Sequence, residues 1–296
     1  MSNVEVMHAD ALDLDAEFFG MFDVLICDPP YSPHVHESCA SVGVIGGGLG
    51  AHARELGFES LSDKLRAQVA LCAESVKRWS AIFSDVESTH LWRESITRAE
   101  YIRPIPWIRW SQPQLSGDRP CTILEIVSCF HAQHNGARGG TKPIAKHWNG
   151  PGNIMPEVSR ELLAPLTDRA LRGAGKHPTE KRLSQLLSLV SWLSDPGENV
   201  IDLTAGSGST VLACRLLDRD AVGIELDPEW ARKANTRAAV NLSPRDRTDA
   251  EEWCERVLAE ATEQLEKLAA ADGSDRNTRE RAERRIADVE RVMVNL

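Results

Sequence analysis

A near-continuous apolar run that stops at two prolines constrains the fold of this chain more than any other feature. Residues 22–27, Phe-Asp-Val-Leu-Ile-Cys, are typical of a strand buried on both faces of a parallel sheet. Asp28, Pro29, Pro30 and Tyr31 follow directly, and prolines, which fix φ and lack an N–H, cannot continue a strand ladder. The sequence therefore predicts a strand that ends at residue 27 and a stiff turn at its carboxyl end.

Strand-like and helix-like segments alternate along the rest of the chain. In the first half, the pattern predicts strands at 4–7, 80–83, 101–110 and 123–130 and helices at 61–79 and 88–98. In the second half, it predicts a helix through 183–193 with Pro178 in its first turn, strands at 199–203 and 221–226, and helices at 211–218 and 228–240. This alternation indicates an α/β fold with a doubly wound, mostly parallel sheet and an antiparallel pair at its edge.

A glycine turn joins the strand at 199–203 to the following helix. Its residues are Asp202, Leu203, Thr204, Ala205, Gly206, Ser207, Gly208, Ser209 and Thr210. Glu225 ends the next strand, at a distance along the chain that suits hydrogen bonds from ribose hydroxyls, so the pattern favours a cofactor that contains a nucleoside. Val211 stands where a dinucleotide fingerprint has its third glycine. A tight turn without a ligand is the alternative.

The turn at the end of the first strand carries a second chemical pattern. The Asp28 carboxylate and the Pro29 carbonyl are two hydrogen-bond acceptors, and the Tyr31 ring is a stacking surface. Together they suit a planar group that bears an NH₂, because each acceptor can take one of its two hydrogens. For these four residues alone, a proline-rich strand exit without chemistry is the alternative.

Three motifs together resemble those of the amino-directed S-adenosylmethionine-dependent DNA methyltransferases. They are residues 28–31, the run His177, Pro178, Thr179, Glu180 and Lys181, and residues 202–210 followed by Gly223, Ile224 and Glu225. Arg182 follows Lys181 where the family commonly has proline. The likeness covers about residues 4–131 and 176–242, and it implies a Rossmann-like class I methyltransferase fold.

The order of the motifs resembles the circularly permuted beta group of that family, with the catalytic motif first and the cofactor motif last. The helix that ends near residue 240 is followed by no further strand, whereas the chain begins with one at 4–10. Joining Asn241 to Asn3 restores the family's order of elements, and the termini of a compact domain commonly lie close together.

The resemblance implies S-adenosylmethionine as cofactor and a role for each matching residue. The catalytic residues are Asp28, Pro29, Pro30 and Tyr31, which would bind the amino group of a flipped-out base. Glu225 would bind the ribose, Asp10 the adenine amino group of the cofactor, and residues 177–181 and 205–209 its methionine end. The full cofactor set is Asp10, Ala11, Cys27, Asp28, His177, Pro178, Thr179, Lys181, Asp202, Leu203, Thr204, Ala205, Gly206, Ser207, Gly208, Ser209, Thr210, Glu225 and Leu226.

The expected function is site-specific methylation of adenine at N6 in DNA. Aspartate at position 28 and tyrosine at position 31 favour adenine over cytosine N4, which shares every motif and is the alternative. A cofactor-binding DNA module without activity is a further alternative, disfavoured by intact Asp28 and Glu225. A nicotinamide oxidoreductase is disfavoured by Val211.

The charge distribution predicts where DNA would bind. A formal net charge of −10 has the wrong sign for indiscriminate coating of nucleic acid, but residues 132–175 carry a local excess of Lys and Arg. We predict that this insert recognises double-stranded DNA through Arg138, Lys142 and Lys146, with a solvated loop as the alternative.

Composition excludes several other classes of protein. The seven cysteines form no Cys-x-x-Cys pair, which argues against a disulfide framework and a structural zinc site. His34, His36, Glu37 and Cys39 fit no standard metal spacing, so no metal is expected. No apolar run reaches the roughly 18 residues that span a bilayer, and no leader precedes the first strand, so the expectation is a cytoplasmic protein without a membrane partner.

Four segments follow from these patterns. Residues 1–131 form the catalytic half, 132–175 the recognition insert, 176–242 the cofactor-binding half and 243–296 a helical tail. The tail is predicted to be a solvated hairpin of two helices outside the core, with a homodimer contact as the alternative.

Overall fold

The protein is an α/β structure in which strands and helices alternate along the chain. The computed structural model describes residues 2–33, 59–108, 115–116, 119–120, 124–132, 180–239, 242–270 and 275–296. The strands in these ranges are β1 (Val4–His8), β2 (Val24–Cys27), β3 (Trp79–Asp85), β4 (Ala99–Ile108), β5 (Leu115–Ser116), β6 (Arg119–Pro120), β7 (Leu124–Ala132), β8 (Asn199–Asp202) and β9 (Asp220–Glu225). The helices are α1 (Ala16–Phe19), α2 (Asp63–Ser75), α3 (Thr89–Ser95), α4 (Leu183–Leu193), α5 (Ser209–Leu216), α6 (Pro228–Ala239), α7 (Pro244–Ala270) and α8 (Arg276–Asn295).

Seven of these strands form one sheet in the order β1-β9-β8-β2-β3-β7-β4. The pairs among β1, β9, β8, β2 and β3 are parallel, whereas β7 is antiparallel to both β3 and β4. The predicted antiparallel pair at the edge is therefore confirmed, with β7 as the reversed strand and β4 as the edge strand. β5 and β6 form a separate two-stranded ribbon.

Helices cover both faces of the sheet because its central strands are apolar on both sides. Val24 and Ile26 of β2 belong to a large core on one face, and Leu25 and Cys27 belong to a smaller core on the other. All four are buried, as the uninterrupted apolar run predicts. The large core contains residues of α4, α5, α6, α7 and α8, and the smaller one contains residues of α2 and α3.

The strand order creates a switch point between β8 and β2. From β8 the chain crosses to β9 on one side, and from β2 it crosses to β3 on the other. In open parallel sheets, ligands bind in the crevice at the carboxyl ends of the two strands where the crossovers diverge. A ligand site is therefore expected at the residues that follow Cys27 and Asp202.

The prediction that the C-terminal hairpin lies outside the core is wrong. Ala250, Trp253, Cys254 and Val257 of α7 and Val289 and Val292 of α8 all belong to the large core. Trp253 is 1% exposed, and its indole N–H donates to the Ser188 hydroxyl of α4 at 3.0 Å. An apolar stripe of the hairpin packs against α4, and two buried carboxylates accompany it: Asp249 accepts the Leu183 N–H, and Asp288 accepts the Ser191 hydroxyl.

Three predicted boundaries are also corrected. The helix predicted over 61–79 ends at Ser75, because Trp79 begins β3 and pairs with Val24. Helix α4 begins at Leu183, and residues 180–182 before it are not helical, whereas Pro178 lies outside the described residues. Strand β8 ends at Asp202, one residue earlier than predicted.

The described part of the chain also bears on membrane and redox expectations. None of its helices combines the length and the apolarity that a membrane crossing needs. Its cysteines are free and buried: Cys27, Cys72, Cys129, Cys214 and Cys254.

Candidate active site

The turn that begins at Asp28 and the glycine turn lie side by side at one edge of the sheet. Strands β2 and β8 are parallel neighbours, with Leu25 paired to Ile201. Their carboxyl ends therefore coincide, and the Cys27 Sγ lies 3.4 Å from the Thr204 Oγ1. The two motifs therefore begin from adjoining strand ends.

The glycine turn is held in a conformation that depends on its glycines. Gly206 and Gly208 have φ values of 52° and 76°, in the left-handed region that favours glycine. The Gly208 N–H donates to the Ala205 carbonyl at 2.8 Å, and α5 begins at the next residue. A Cβ on Gly208 would lie 2.9 Å from the Cβ of Ala234, so the turn packs directly on α6.

Close packing of α5 against the sheet does not need a glycine at position 211. A Cβ on Gly223 of β9 would lie 2.7 Å from the Ala205 Cβ and 3.0 Å from a methyl group of Val211. The glycine on the strand therefore makes room for the valine on the helix. Val211 itself is fully buried.

Carboxylates end three neighbouring strands. Glu225 ends β9, where its Oε2 accepts the Gly206 N–H at 2.8 Å and its Oε1 accepts the Asp227 N–H at 2.9 Å. Asp10 follows β1, the neighbour of β9, and its Oδ1 accepts the Leu12 N–H at 2.9 Å. Asp202 ends β8. Acceptors at Asp10 and Glu225 fit the exocyclic amine and hydroxyl donors of a nucleoside.

Asp202 supports the turn from inside. Its Oδ1 accepts the Thr204 N–H at 3.0 Å, and the Thr210 hydroxyl also bonds to this carboxyl group. Burial, reinforced by the negative charges of Asp28 and Glu225, raises the pKa of Asp202 to about 7. Since Asp202 is only 4% exposed, it acts as an internal brace of the turn.

Arg237 of α6 holds the glycine turn from the helix side and was missed by sequence reasoning. Its guanidinium donates to the Ser207 carbonyl and hydroxyl and to the Ser209 hydroxyl at 3.2, 3.0 and 2.8 Å. It also pairs with Asp246 of α7 at 2.6 Å. The Ser207 and Ser209 side chains are thus engaged with the protein itself, which leaves the backbone of the turn to meet a ligand.

The four residues after β2 are fixed by neighbours on both sides. The Tyr31 carbonyl accepts the Leu61 N–H at 3.0 Å, and the Ser32 N–H contacts the Asp85 Oδ2 of β3 at 3.4 Å. The Lys181 ammonium lies 3.1 Å from the Asp28 Oδ1. Asp28 therefore keeps a partner within the protein.

Lys181 brings a further residue to the site. Its Nζ donates to the Tyr31 hydroxyl at 3.1 Å and to the Glu125 Oε2 of β7 at 2.9 Å. It also lies 4.9 Å from the centre of the Phe83 ring. Glu125 carries no sequence signal of such a role, because its position depends on the antiparallel register that sets it beside Asp85.

Other predicted cofactor residues fall into distinct environments. Ala11 and Leu203 are buried, whereas Leu226 is 66% exposed beyond the end of β9. Burial is the main cause that raises the pKa of the Cys27 thiol well above its ordinary value, which fits a core residue rather than a nucleophile.

Several predicted site residues lie outside the described residues: His177, Pro178, Thr179, Arg138, Lys142, Lys146 and the His34–Cys39 group. Within the described ranges, no cluster of three His, Cys, Asp or Glu side chains could hold a metal ion.

These features define the class of protein. A seven-stranded, mostly parallel sheet with one reversed strand and a glycine turn at its switch point is the class I methyltransferase fold. The fold agrees with the solved structure of M1.HpyAVI in complex with SAM, which matches at a TM-score of 0.54 and 20% identity over 80% of this chain and 99% of that one.

The chain belongs to the N6_N4_Mtase family of DNA methylases, whose profile matches residues 84–236. It is 38% identical over 68 residues to the type II methyltransferase M.EcaI of Enterobacter cloacae, across 23% of this chain and 15% of that protein. It is 36% identical over 63 residues to the type II methyltransferase M2.MboI of Moraxella bovis, across 21% of this chain and 23% of that protein. The matched segments thus span less than a quarter of these two relatives.

Proposed function

We propose that this protein is a DNA methyltransferase that transfers a methyl group from S-adenosylmethionine to the N6 amino group of adenine within a short recognition sequence. The observation that supports the proposal is the contact between the ends of β2 and β8, because Asp28 directly follows β2 and the glycine turn follows β8. The motif proposed to bind the amino group and the motif proposed to bind the nucleoside would then face one crevice.

The residues of the crevice fit the cofactor by the chemistry of their donors and acceptors. Glu225 would accept hydrogen bonds from the ribose hydroxyls, and Asp10, on the adjoining strand, from the adenine amino group. The backbone of residues 205–209 would meet the methionine end at the start of α5. When bound, the cofactor supplies a sulfonium methyl group as the electrophile.

The catalytic residues act by binding and orienting the nitrogen. The exocyclic amine of adenine is a poor nucleophile because its lone pair is delocalised into the ring. If the Asp28 carboxylate and the Pro29 carbonyl each accept one N–H, they favour a pyramidal nitrogen and stabilise the positive charge that develops on it. Pro30 keeps the turn stiff, and Tyr31 stacks on the base. The base must be flipped out of the duplex to reach them, which costs a few kcal/mol.

Two motif residues favour adenine over cytosine. The site has an aspartate at position 28 and a tyrosine at position 31, and these residue types are the basis of the adenine assignment. Methylation of cytosine at N4 would use the same acceptors and the same cofactor turn, so it is the second candidate.

The organisation of the chain is part of the proposal. The position of β1 beside β9, with Val6 paired to Gly223, supports a circular permutation in which β1 follows α6 in the ancestral order. We assign residues 1–131 to the catalytic half, 176–242 to the cofactor-binding half and 132–175 to recognition of double-stranded DNA. For residues 243–296, a homodimer contact stays a prediction.

Analysis of nucleosides tests this function. The purified chain is incubated with S-adenosylmethionine carrying a labelled methyl group and with unmethylated DNA of mixed sequence, and the DNA is digested to nucleosides for mass analysis. We expect labelled N6-methyl-2′-deoxyadenosine. Label in N4-methylcytosine alone would contradict the adenine assignment. Cofactor binding without any methyl transfer would contradict the proposed activity and favour the alternative of a cofactor-binding DNA module without activity.

A further inference from the structure

The Lys181 ammonium is surrounded by oxygens of the amino-binding turn. Its Nζ lies 3.1 Å from the Asp28 Oδ1, 3.1 Å from the Tyr31 hydroxyl and 2.9 Å from the Glu125 Oε2. An ammonium group has three N–H donors, and three oxygens lie within hydrogen-bonding distance of it. Resemblance to the family assigns Lys181 to the methionine end of the cofactor. In the structure, however, its ammonium group contacts Asp28, Tyr31 and Glu125.

We propose that Lys181 is a positioning residue that orients the Asp28 carboxylate and the Tyr31 ring for the target base, with Glu125 anchoring its ammonium. The inference rests on the proposed function and deepens it. It assigns to Lys181 and Glu125 a role in the amino-binding half of the site.

Burial explains why Glu125 can serve as the anchor. The Glu125 side chain is 5% exposed and the Lys181 side chain 11%, so their pair is little screened by water. Glu125 lies at the start of β7, and because β7 is antiparallel to β3, this start lies at the carboxyl edge of the parallel strands. The anchor thus comes from the reversed strand and reaches the site from the side opposite the glycine turn.

The segment around Lys181 is held by α6 and α7. Glu180 pairs with Arg245 at 3.2 Å and with Arg237 at 3.5 Å. On the other side, Arg182 pairs with Asp249 at 3.0 Å, and the same carboxylate accepts the Leu183 N–H at 3.3 Å at the start of α4. Both neighbours of Lys181 are fixed in this way, so the lysine itself is directed toward Asp28.

The consequence for Asp28 is orientation of its carboxylate. Its Oδ1 is buried against Lys181, whereas the side chain as a whole retains 21% exposure. The carboxylate is thereby held in one orientation relative to the turn. The same ammonium lies 5.3 Å from the centre of the Tyr31 ring and bonds its hydroxyl, which limits the orientations that the ring can adopt.

The test uses variants of the full chain that keep the buried charges balanced. Lys181→Met alone would leave Glu125 buried without its cation, so the informative variant is Lys181→Met with Glu125→Gln, compared with Lys181→Arg. Lys77→Met is the matched control, because Lys77 pairs with Asp23 at the opposite edge of the sheet. Three quantities are measured: kcat for methyl transfer at saturating S-adenosylmethionine, the Kd of S-adenosylhomocysteine by calorimetry, and the NMR signals of labelled tyrosine.

The tyrosine signals report on the contact without any reaction. The chain has two tyrosines, and Tyr101 lies beside Arg93 on α3, with the guanidinium 4.7 Å from its ring centre. We expect the double variant to shift the Tyr31 signal and to leave that of Tyr101 in place. An unchanged Tyr31 signal would overturn the inference.

The kinetic outcomes distinguish a role of Lys181 in positioning Asp28 and Tyr31 from the role that the family resemblance implies, at the methionine end of the cofactor. We expect kcat to fall on the order of tenfold to a hundredfold in the double variant, with the Kd of S-adenosylhomocysteine within about threefold of that of the unmodified protein. Lys181→Arg should recover part of the loss. A kcat within about twofold of the unmodified value, or a Kd raised about tenfold with kcat retained, would overturn the inference. Failure of the unmodified protein to bind or transfer would instead refute the proposed function.

Discussion

The packing of the glycine turn on α6 makes a quantitative prediction for Gly208→Ala. The new methyl group would lie 2.9 Å from the Ala234 Cβ and 3.3 Å from its Cα, in a backbone conformation with φ of 76°. The left-handed conformation costs an alanine about 1 to 2 kcal/mol, and overpacking costs a further ~1 to 3 kcal/mol. The free energy of unfolding should therefore fall by about 2 to 5 kcal/mol.

Gly197→Ala separates the two contributions. Gly197 has nearly the same φ, 79°, but its Cβ would meet nothing within 4 Å. Its variant should lose only the conformational contribution, so the two variants should differ by about 1 to 3 kcal/mol in urea unfolding at equilibrium. A weaker affinity for S-adenosylhomocysteine is expected for the Gly208 variant alone.

A double-mutant cycle with Ala234→Gly completes this test. Removing the Ala234 methyl group should recover part of the loss caused by Gly208→Ala, with a coupling energy of about 1 kcal/mol. Equal destabilisation by Gly208→Ala and Gly197→Ala, or additivity in the cycle, would refute the direct contact between the turn and α6.

Two further predictions concern the interior. Because the pKa of Asp202 is about 7 when folded and lower when unfolded, its contribution to stability is present at low pH and is lost as the pH rises from about 4 to 7. The unfolding free energy should thus fall by about 3 kcal/mol more between pH 5 and pH 8 than that of Asp202→Asn, and parallel pH profiles would contradict this. Trp253→Ala should cost about 3 to 5 kcal/mol in urea unfolding, whereas a solvated tail would lose less than about 0.5.

The sheet could be predicted from the sequence because its signal is local. The run 22–27 is apolar at every position except Asp23, and such a run indicates a strand covered on both faces whatever its neighbours are. Local patterns do not indicate that the strand ending at Cys27 lies beside the strand ending at Asp202. The structure supplies this neighbourhood through the pairing of Leu25 with Ile201.

The role of the C-terminal hairpin could not be predicted from its own composition. The many charged residues of the hairpin obscure its apolar stripe in the sequence. The helix that this stripe packs against, α4, ends about fifty residues before the hairpin begins. In the structure ten residues of Leu183–Leu193 are buried, among them Gln185, Ser188 and Ser191. Burial of these polar side chains shows that a second layer covers α4 on the face away from the sheet, which its own sequence does not indicate.

The convergence on Lys181 could not be predicted for a different reason. Its partners Asp28, Tyr31 and Glu125 come from three separate segments, and Glu125 reaches the site only through the register of an antiparallel pair. Residue types and spacing carry no information about that register. Arg182, which stands where the family commonly has proline, likewise forms an ion pair with Asp249 of α7, and only the structure shows this pair.

The measurement that tests the central claim most directly is methyl transfer and cofactor binding by Asp28→Ala. If Asp28 binds the amino group of the base and the glycine turn binds the cofactor, the variant should transfer no measurable methyl group to DNA. Its Kd for S-adenosylhomocysteine should stay within a few fold of the unmodified value. Retained transfer, or loss of cofactor binding together with transfer in a folded variant, would contradict this division of the site.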